Sequence, residues 1–120
     1  MSKIACGTNY TVCVSTTGVL YAFGFNYYGQ LGTSTNSGTS NPNPGPYNVM
    51  NGSLSGKTVL DVACGTDHTV VVCTDGTVHT FGRNYYGQLG TSTNSGTNTA
   101  NPTPINISSQ GSLSEIGRAS

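Results

Sequence analysis

Charge is scarce in this chain of 120 residues: only 7% of them are charged, with four basic and four acidic side chains, whereas an ordinary globular domain has about 25%. The lack of basic clusters excludes an electrostatic surface for nucleic acid or for an anionic membrane. Tryptophan is missing, and no apolar run approaches the roughly 20 residues of a membrane-spanning helix. Half of the residues are Gly, Ser, Thr or Asn, which excludes long amphipathic helices and leaves only short segments for one small domain's core.

Groups that support catalysis are equally few. The carboxylates are Asp61, Asp67, Asp75 and Glu115. A catalytic site needs several titratable groups gathered together, and Asp67 and His68, being adjacent, point to opposite faces of an extended chain. The two histidines, His68 and His79, do not pair with cysteines at zinc-binding intervals, and we expect them to make structural hydrogen bonds instead. We therefore expect no catalytic residue, no metal site and no cofactor.

Cysteine is present four times, but without the spacing of a metal site. The four residues are Cys6, Cys13, Cys64 and Cys73. Two lie in Ala-Cys-Gly triplets and two in apolar β-like runs, so we expect buried free thiols that pack as small hydrophobic side chains. The N-terminus lacks the apolar stretch of a secretory signal, which makes the cytoplasm the expected compartment.

An internal repeat organises the chain. A shift of 58 positions aligns residues 4–48 with 62–106 at 29 identities in 45 positions, including an unbroken run of 14 in residues 26–39. We therefore divide the chain into a first repeat (1–58), a second repeat (59–114) and a flexible tail (115–120).

Each repeat reads as short strands separated by turns. In the second repeat the predicted strands are residues 59–63, 68–73 and 77–81, with a hairpin turn at Asp75-Gly76. Residues 82–101 have no periodicity and form a loop, and 102–107 fit an edge strand entered through prolines. Three or four strands per unit predict small antiparallel sheets that stack as a propeller or a sandwich.

The order of motifs resembles the repeat of the regulator of chromosome condensation family. The second copy has Ala-Cys-Gly-x-x-His-Thr at 63–69, Asp-Gly at 75–76, Phe-Gly at 81–82 and Asn-x-Tyr-Gly-Gln-Leu-Gly at 84–90. The first copy departs mildly, with Tyr10 in place of the histidine and Thr17 in place of the aspartate. The resemblance implies an all-β fold with one four-stranded propeller blade per repeat, and about seven repeats in a closed ring. The structural motif positions are Gly7, Gly65, His68, Gly29, Gln30, Gly87 and Gln88.

Two blades cannot close a ring, and their outer faces and strand edges would remain in water. We therefore expect the chain to assemble with copies of itself, head to tail, into a cyclic homo-oligomer of three or four chains. Two alternatives stay open. The sequence is a fragment of a longer propeller, or it is a designed or recently duplicated scaffold with no evolved ligand.

The paired tyrosines carry the functional hypothesis. Tyr27 and Tyr85, with Asn26 and Asn84 beside them, lie in loops rich in Ser, Thr and Gly, a composition that suits protein recognition. The tyrosines that follow them, at the motif position, are expected to pack structurally. The sequence thus indicates a non-enzymatic protein-interaction scaffold, with a lectin-like carbohydrate binder as the alternative. The family's guanine-nucleotide exchange and chromatin binding are not expected, because the chain lacks the acidic loops and basic arms that they need.

Overall fold

The computed structural model describes residues 3–108, which form two four-stranded antiparallel sheets. The first sheet contains β1 (Lys3–Gly7), β2 (Tyr10–Val14), β3 (Leu20–Gly24) and β4 (Tyr47–Asn48) in that order. The second contains β5 (Val59–Cys64), β6 (His68–Cys73), β7 (Val78–Gly82) and β8 (Ile105–Asn106). A short 3-10 helix, Gly52–Leu54, lies between them. The all-β prediction of two four-stranded sheets is confirmed, while the predicted tail lies outside the described residues.

The hairpin between β6 and β7 shows how the local sequence sets the strands. The Asp75 carboxylate accepts hydrogen bonds from the Thr77 backbone N–H at 3.0 Å and from the Thr77 hydroxyl at 2.6 Å. Gly76 follows at φ +84°, a conformation that glycine adopts without steric cost. The turn fixes the register in which Val71 faces His79 and Val72 faces Val78.

The two sheets pack against each other through alternate residues of their strands, and we call this contact the inner seam. The first sheet contributes Tyr10, Val12, Val14, Leu20 and Ala22, and the second Val59, Val71, Cys73 and Phe81. Leu54 from the 3-10 helix and Leu31 from the loop after β3 complete it. These side chains are at most 4% exposed. The seam is therefore the hydrophobic core of the described chain, and it lies between the sheets.

Each sheet also has an outer face, because successive strand residues point in opposite directions. The first outer face carries Ile4, Cys6, Thr11, Cys13, Tyr21 and Phe23. The second carries Ala63, His68, Val70, Val72, Val78 and Thr80. Burial alternates along β6, where Thr69, Val71 and Cys73 are buried and the three residues between them are half-buried. Its β-branched run predicts a strand that is buried on both faces or nearly so. The structure buries one face fully and the other by half, because the described residues supply a neighbouring sheet on one side only.

The cysteines differ in exposure. All four are free; Cys13 and Cys73 are buried, Cys64 is half-buried and Cys6 is exposed. The prediction of buried thiols is wrong for Cys6, because it lies on the first outer face, whereas its counterpart Cys64 lies at the inner seam. Burial raises the pKa of Cys64 and of Cys73. Within residues 3–108 no helix is long and apolar enough to cross a membrane, and no group of three metal-ligating side chains occurs.

Candidate functional site

Two equivalent loops, residues 26–39 and 84–97, form the candidate recognition site, and each is held by one buried asparagine. The Asn84 amide donates to the carbonyl oxygens of Thr91 and Thr93 at 2.8 and 2.7 Å, and its Oδ1 accepts from the Leu89 N–H at 2.9 Å. Asn26 makes the same three hydrogen bonds within the first loop. Both asparagines are fully buried. An amide suits this place because it donates and accepts at once.

The buried asparagines correct the sequence-based site. Asn26 and Asn84 were predicted to contact a partner, but their side chains are enclosed by the loops that they close. They determine loop shape instead. Sequence reasoning also missed a second buried asparagine in each repeat, Asn43 and Asn101, whose amides donate to the carbonyl oxygens of Gly24 and Gly82 at 3.0 and 2.9 Å. Their identity at equivalent positions of the two repeats was the available signal.

The Gly-Gln pair of each loop shapes its tip. The Oε1 atoms of Gln30 and Gln88 accept hydrogen bonds from the N–H groups of Tyr28 and Tyr86, at 2.9 and 2.8 Å. Gly29 and Gly87 lie between them at φ +78° and +74°, in the left-handed region that favours glycine. These contacts account for the Tyr-Gly-Gln order of the motif as a tight turn.

The exposure of the four loop tyrosines agrees only in part with the prediction. Tyr27 and Tyr85 are exposed, at 39% and 40%, in line with the loop-borne role predicted for them. Tyr28 is half-buried, but Tyr86, expected to pack structurally like Tyr28, is 78% exposed. The difference has a structural cause: Tyr28 contacts Arg83 and Asn101 of the second repeat, whereas the described chain has no third repeat for Tyr86 to contact.

Arg83 joins the aromatic side chains of the two loops. Its guanidinium carbon lies 5.1 Å from the ring centroid of Tyr28, 5.4 Å from that of Tyr85 and 5.8 Å from that of Tyr86. Its Nε donates to Asn98 Oδ1 at 3.0 Å. These distances are in the range of cation–π interactions. Sequence reasoning missed Arg83. Its position was an available signal, because it is one of only four basic residues and directly precedes the Asn-Tyr-Tyr motif.

Further rings extend the row along the first loop. Phe25 stacks on Tyr27 with centroids 6.2 Å apart and planes 10° apart, and Tyr27 meets Tyr28 edge to face at 5.1 Å. Tyr85 and Tyr86 repeat the edge-to-face pair at 5.0 Å. We call the surface formed by Phe25, Tyr27, Tyr28, Arg83, Tyr85 and Tyr86 the aromatic edge.

The Gly-x-x-His and Gly-x-x-Tyr motifs place a ring over a glycine. A Cβ at Gly7 would lie 2.1 Å from the Tyr10 ring, and a Cβ at Gly65 would lie 2.2 Å from the His68 ring. The Tyr10 hydroxyl donates to the His68 carbonyl oxygen, and it lies 3.1 Å from Thr69 Oγ1. Burial raises the pKa of Tyr10, so the phenol stays protonated and remains a donor across the inner seam.

The histidines had been predicted to make structural hydrogen bonds. His79 does: its Nδ1 lies 2.6 Å from Ser53 Oγ and its Nε2 lies 2.8 Å from Thr77 Oγ1. The His68 ring makes no hydrogen bond within residues 3–108, because it lies on the second outer face. Burial lowers the pKa of both imidazoles.

The described carboxylates are engaged in structural contacts or exposed. Asp75 closes its turn and pairs with Lys57 at 2.5 Å, and the hydrogen bonds from Lys57 and Thr77 hold the pKa of Asp75 well below its usual range. Asp67 lies 3.9 Å from the Arg83 guanidinium, and Asp61 is exposed. No hydrogen bond joins Asp67 to His68 in the described part of the chain.

A pocket opens at the end of the first outer face. It has a volume of about 380 Å³ and is lined by Asn9, Phe23, Gly24, Phe25 and residues 40–44. We call it the Phe23 pocket. The corresponding part of the second sheet, around Phe81, is filled by the loop of residues 28–32.

Comparison with known proteins identifies the repeats. Two family models, both described as the regulator of chromosome condensation (RCC1) repeat, match this chain, one at residues 17–72 and 75–116 and the other at 1–30 and 59–88. The chain is 40% identical over 88 residues to mouse serine/threonine-protein kinase Nek9, covering 73% of this chain and 8% of the kinase. It is 35% identical over 86 residues to human protein RCC2, covering 72% of this chain and 15% of RCC2.

Solved structures agree with this result. Human WBSCR16 superposes with a TM-score of 0.72 at 28% identity, over 87% of this chain and 24% of that protein. Prp20p from Saccharomyces cerevisiae, described with its binding to Gsp1p and histones, gives a TM-score of 0.66 at 21% identity, over 86% of this chain and 25% of Prp20p. The chain thus spans about a quarter of these structures, and less of the curated relatives. Its two sheets are propeller blades, and the chain belongs to the RCC1 repeat family.

Proposed function

We propose that this chain is a non-enzymatic protein-interaction scaffold whose copies join into a closed β-propeller and recognise a protein through the aromatic edge. The observation that carries the proposal is the row of five aromatic rings at the two equivalent loops, three of which contact Arg83. Tyrosine and arginine are the residue types in which protein-binding energy concentrates. The binding of Gsp1p and histones described for Prp20p supports a protein as the class of partner.

Rigid loops strengthen this assignment. The buried Asn26 and Asn84 hold the backbone behind Tyr27 and Tyr85, so little conformational freedom remains to be lost when a partner binds. A ring would repeat the aromatic edge several times and add weak contacts through avidity.

Self-assembly is the second part of the proposal, and the two outer faces support it. Ile4 on the first face is 65% exposed, and Leu60 beside the second is 46% exposed. Blade faces that meet in a head-to-tail manner form a cyclic oligomer when the rotation between copies closes. Three chains would give six blades and four would give eight.

Light scattering on a sizing column, with a dilution series, tests the assembly. We expect a stable species of about 37 or about 49 kDa, three or four times the 12.3 kDa chain. A chain that stays at 12.3 kDa at every concentration would overturn the ring.

Substitution of the exposed tyrosines tests recognition. Proteins captured by the wild-type chain should be lost with the Tyr27→Ala, Tyr85→Ala double variant and kept by a Ser34→Ala, Ser92→Ala control in the same exposed loops. Capture that is unaffected by the tyrosine substitutions would refute the aromatic edge as the binding site. Tyrosine-dependent binding to a glycan array, without a protein ligand, would instead favour the carbohydrate alternative.

A further inference from the structure

We propose that the loop of residues 86–90 docks into the Phe23 pocket of a second copy of this chain, with Tyr86 against Phe25. This inference rests on the proposed self-assembly and specifies its contact surface. The template is the inner seam, where the equivalent loop, residues 28–32, already packs against the second sheet.

The packed loop is held closely along its length. A Cβ at Gly29 would lie 2.5 Å from Pro102 N, and a Cβ at Gly32 would lie 3.0 Å from the Phe81 ring. The Asn101 N–H donates to the Tyr28 carbonyl oxygen at 3.1 Å. The loop therefore leaves no room for larger residues at its glycines, and it is bonded as well as packed.

The second loop has the same sequence but an open environment. Around Gly87 no described atom lies within 4 Å of a Cβ position, and Tyr86 is 78% exposed. Gly90 is exposed where Gly32 is buried, and Gln88 is half-buried where Gln30 is fully buried. Residues 86–90 thus have the shape of a docked loop without the surface on which it docks.

The Phe23 pocket supplies that surface in another copy. Its walls contain Phe23, Phe25, Asn43 and Pro44, at the positions that correspond to Phe81, Arg83, Asn101 and Pro102 in the second sheet. The wall is therefore the same in three of these four residues. At the fourth, Phe25 replaces Arg83, so the cation–π contact of Tyr28 becomes a contact between two aromatic rings for Tyr86.

The hydrogen-bonding groups also correspond. Across the inner seam, Thr69 Oγ1 donates to the Gln30 carbonyl oxygen at 2.8 Å. Between copies, Thr11 would donate to the Gln88 carbonyl, and the Asn43 N–H would donate to the Tyr86 carbonyl. Within residues 3–108 the Asn43 N–H has no acceptor. Buried polar groups normally have a hydrogen-bond partner, and docking would give the Asn43 N–H an acceptor.

A second copy is the occupant that fits, because the surfaces continue an interface that the molecule already contains. The loops of residues 26–39 and 84–97 are identical. The contact joins two different surfaces, one at each end of the chain, so a docked pair still has one free pocket on one copy and one free loop on the other. Such a heterologous contact closes into a ring or extends as a filament.

A matched pair of glycine substitutions tests the docking. Gly87→Ala should reduce the mass in solution to that of one chain, 12.3 kDa, because its Cβ would meet Pro44 of the neighbouring copy as a Cβ at Gly29 would meet Pro102. Gly96→Ala is the control: its φ of +79° imposes the same strain as the +74° of Gly87. Space around Gly96 is open, and so is the space around its counterpart Gly38 in the packed loop. This variant should keep the wild-type mass.

A mixing experiment tests the pairing of unlike surfaces. Ile4→Glu alters the first outer face and Tyr86→Glu the docking loop, at side chains exposed enough to leave the fold intact, which circular dichroism checks. Each variant alone should be monomeric, and the mixture should form a species of about 25 kDa, two chains, through the one unaltered surface of each. Self-association of the Tyr86→Glu variant alone, or no complex in the mixture, would overturn the docking.

The outcomes separate the two proposals. If the wild-type chain and the Gly87→Ala variant assemble equally well, the docking is refuted and the proposed ring is not. A wild-type chain that remains monomeric would refute both.

Discussion

Asn84 is the side chain whose removal measures how the recognition loop is held. Replacing it with alanine removes three hydrogen bonds, two to threonine carbonyls and one from the Leu89 N–H. Leu89 is fully buried, so its N–H would lose its partner without access to water, at a cost of about 1–3 kcal/mol. Thr91 is half-buried and Thr93 exposed, and water can replace the amide there, so each adds about 0.5 kcal/mol. We expect Asn84→Ala to lower the free energy of unfolding by about 2–4 kcal/mol.

Urea unfolding followed by far-ultraviolet circular dichroism and tyrosine fluorescence measures this change, since tryptophan is absent. The denaturant slope should be unchanged, because the folded and unfolded surfaces remain alike. Asn98→Ala is the control: its side chain is exposed and makes one hydrogen bond, to Arg83, so it should cost no more than about 0.5 kcal/mol. An Asn84→Ala variant as stable as the Asn98→Ala variant would refute the assignment of Asn84 as the anchor of the loop.

Three further predictions concern the inner seam and the histidines. Tyr10→Phe removes the hydroxyl that bridges His68 and Thr69 and should lower the unfolding free energy by about 1–2 kcal/mol; Tyr47→Phe, whose hydroxyl has no hydrogen bond within residues 3–108, should be neutral. Gly29→Ala should cost about 1–3 kcal/mol more than Gly96→Ala, because both impose strain at positive φ but only Gly29 faces Pro102; equal costs would contradict the close packing. Burial lowers the pKa of His68 and His79 in the folded chain. Below a pH of about 6.5, the usual pKa of histidine, the unfolded chain therefore binds more protons than the folded chain. Stability should therefore fall as the pH decreases from about 7 through the lowered pKa values. Urea unfolding of the wild type and of His68→Tyr across this pH range measures the trend. A wild-type stability that does not change with pH, or a variant whose stability changes with pH as steeply as the wild type's, would contradict the lowered pKa values.

The strands were predictable because both their residues and their turns are local signals. The β-branched run of residues 68–73 and the Asp75-Gly76 turn predicted β6 and its hairpin, and the structure places the strand at the same bounds. The repeat offset then placed the strands of the first sheet. The prediction of the edge strand β8, which is only two residues long, rested on the prolines that precede it.

The division of polar residues between surface and interior was not predictable from composition. A loop rich in asparagine reads as an adaptable surface, yet Asn26 and Asn84 are buried because their amides replace the backbone partners that an irregular loop lacks. The exposure of Cys6 and Tyr86 depends on which blade has a neighbour. That is a property of the number of blades rather than of the residues around these positions.

The two loops separate what a residue does for its own turn from what it does for a neighbour. Local geometry accounts for four residues of the second loop. Asn84 closes the loop, Gly87 adopts its positive φ, Gln88 accepts a backbone hydrogen bond and Leu89 fills the loop's interior. None of these requirements applies to the ring of Tyr86, which is 78% exposed and contacts its own blade through Tyr85 and Arg83. In the first loop the equivalent ring of Tyr28 lies against the next blade. We therefore expect the exposed ring of Tyr86 to contact a neighbouring copy, and substitution of Tyr86 distinguishes an assembled propeller from an isolated pair of blades.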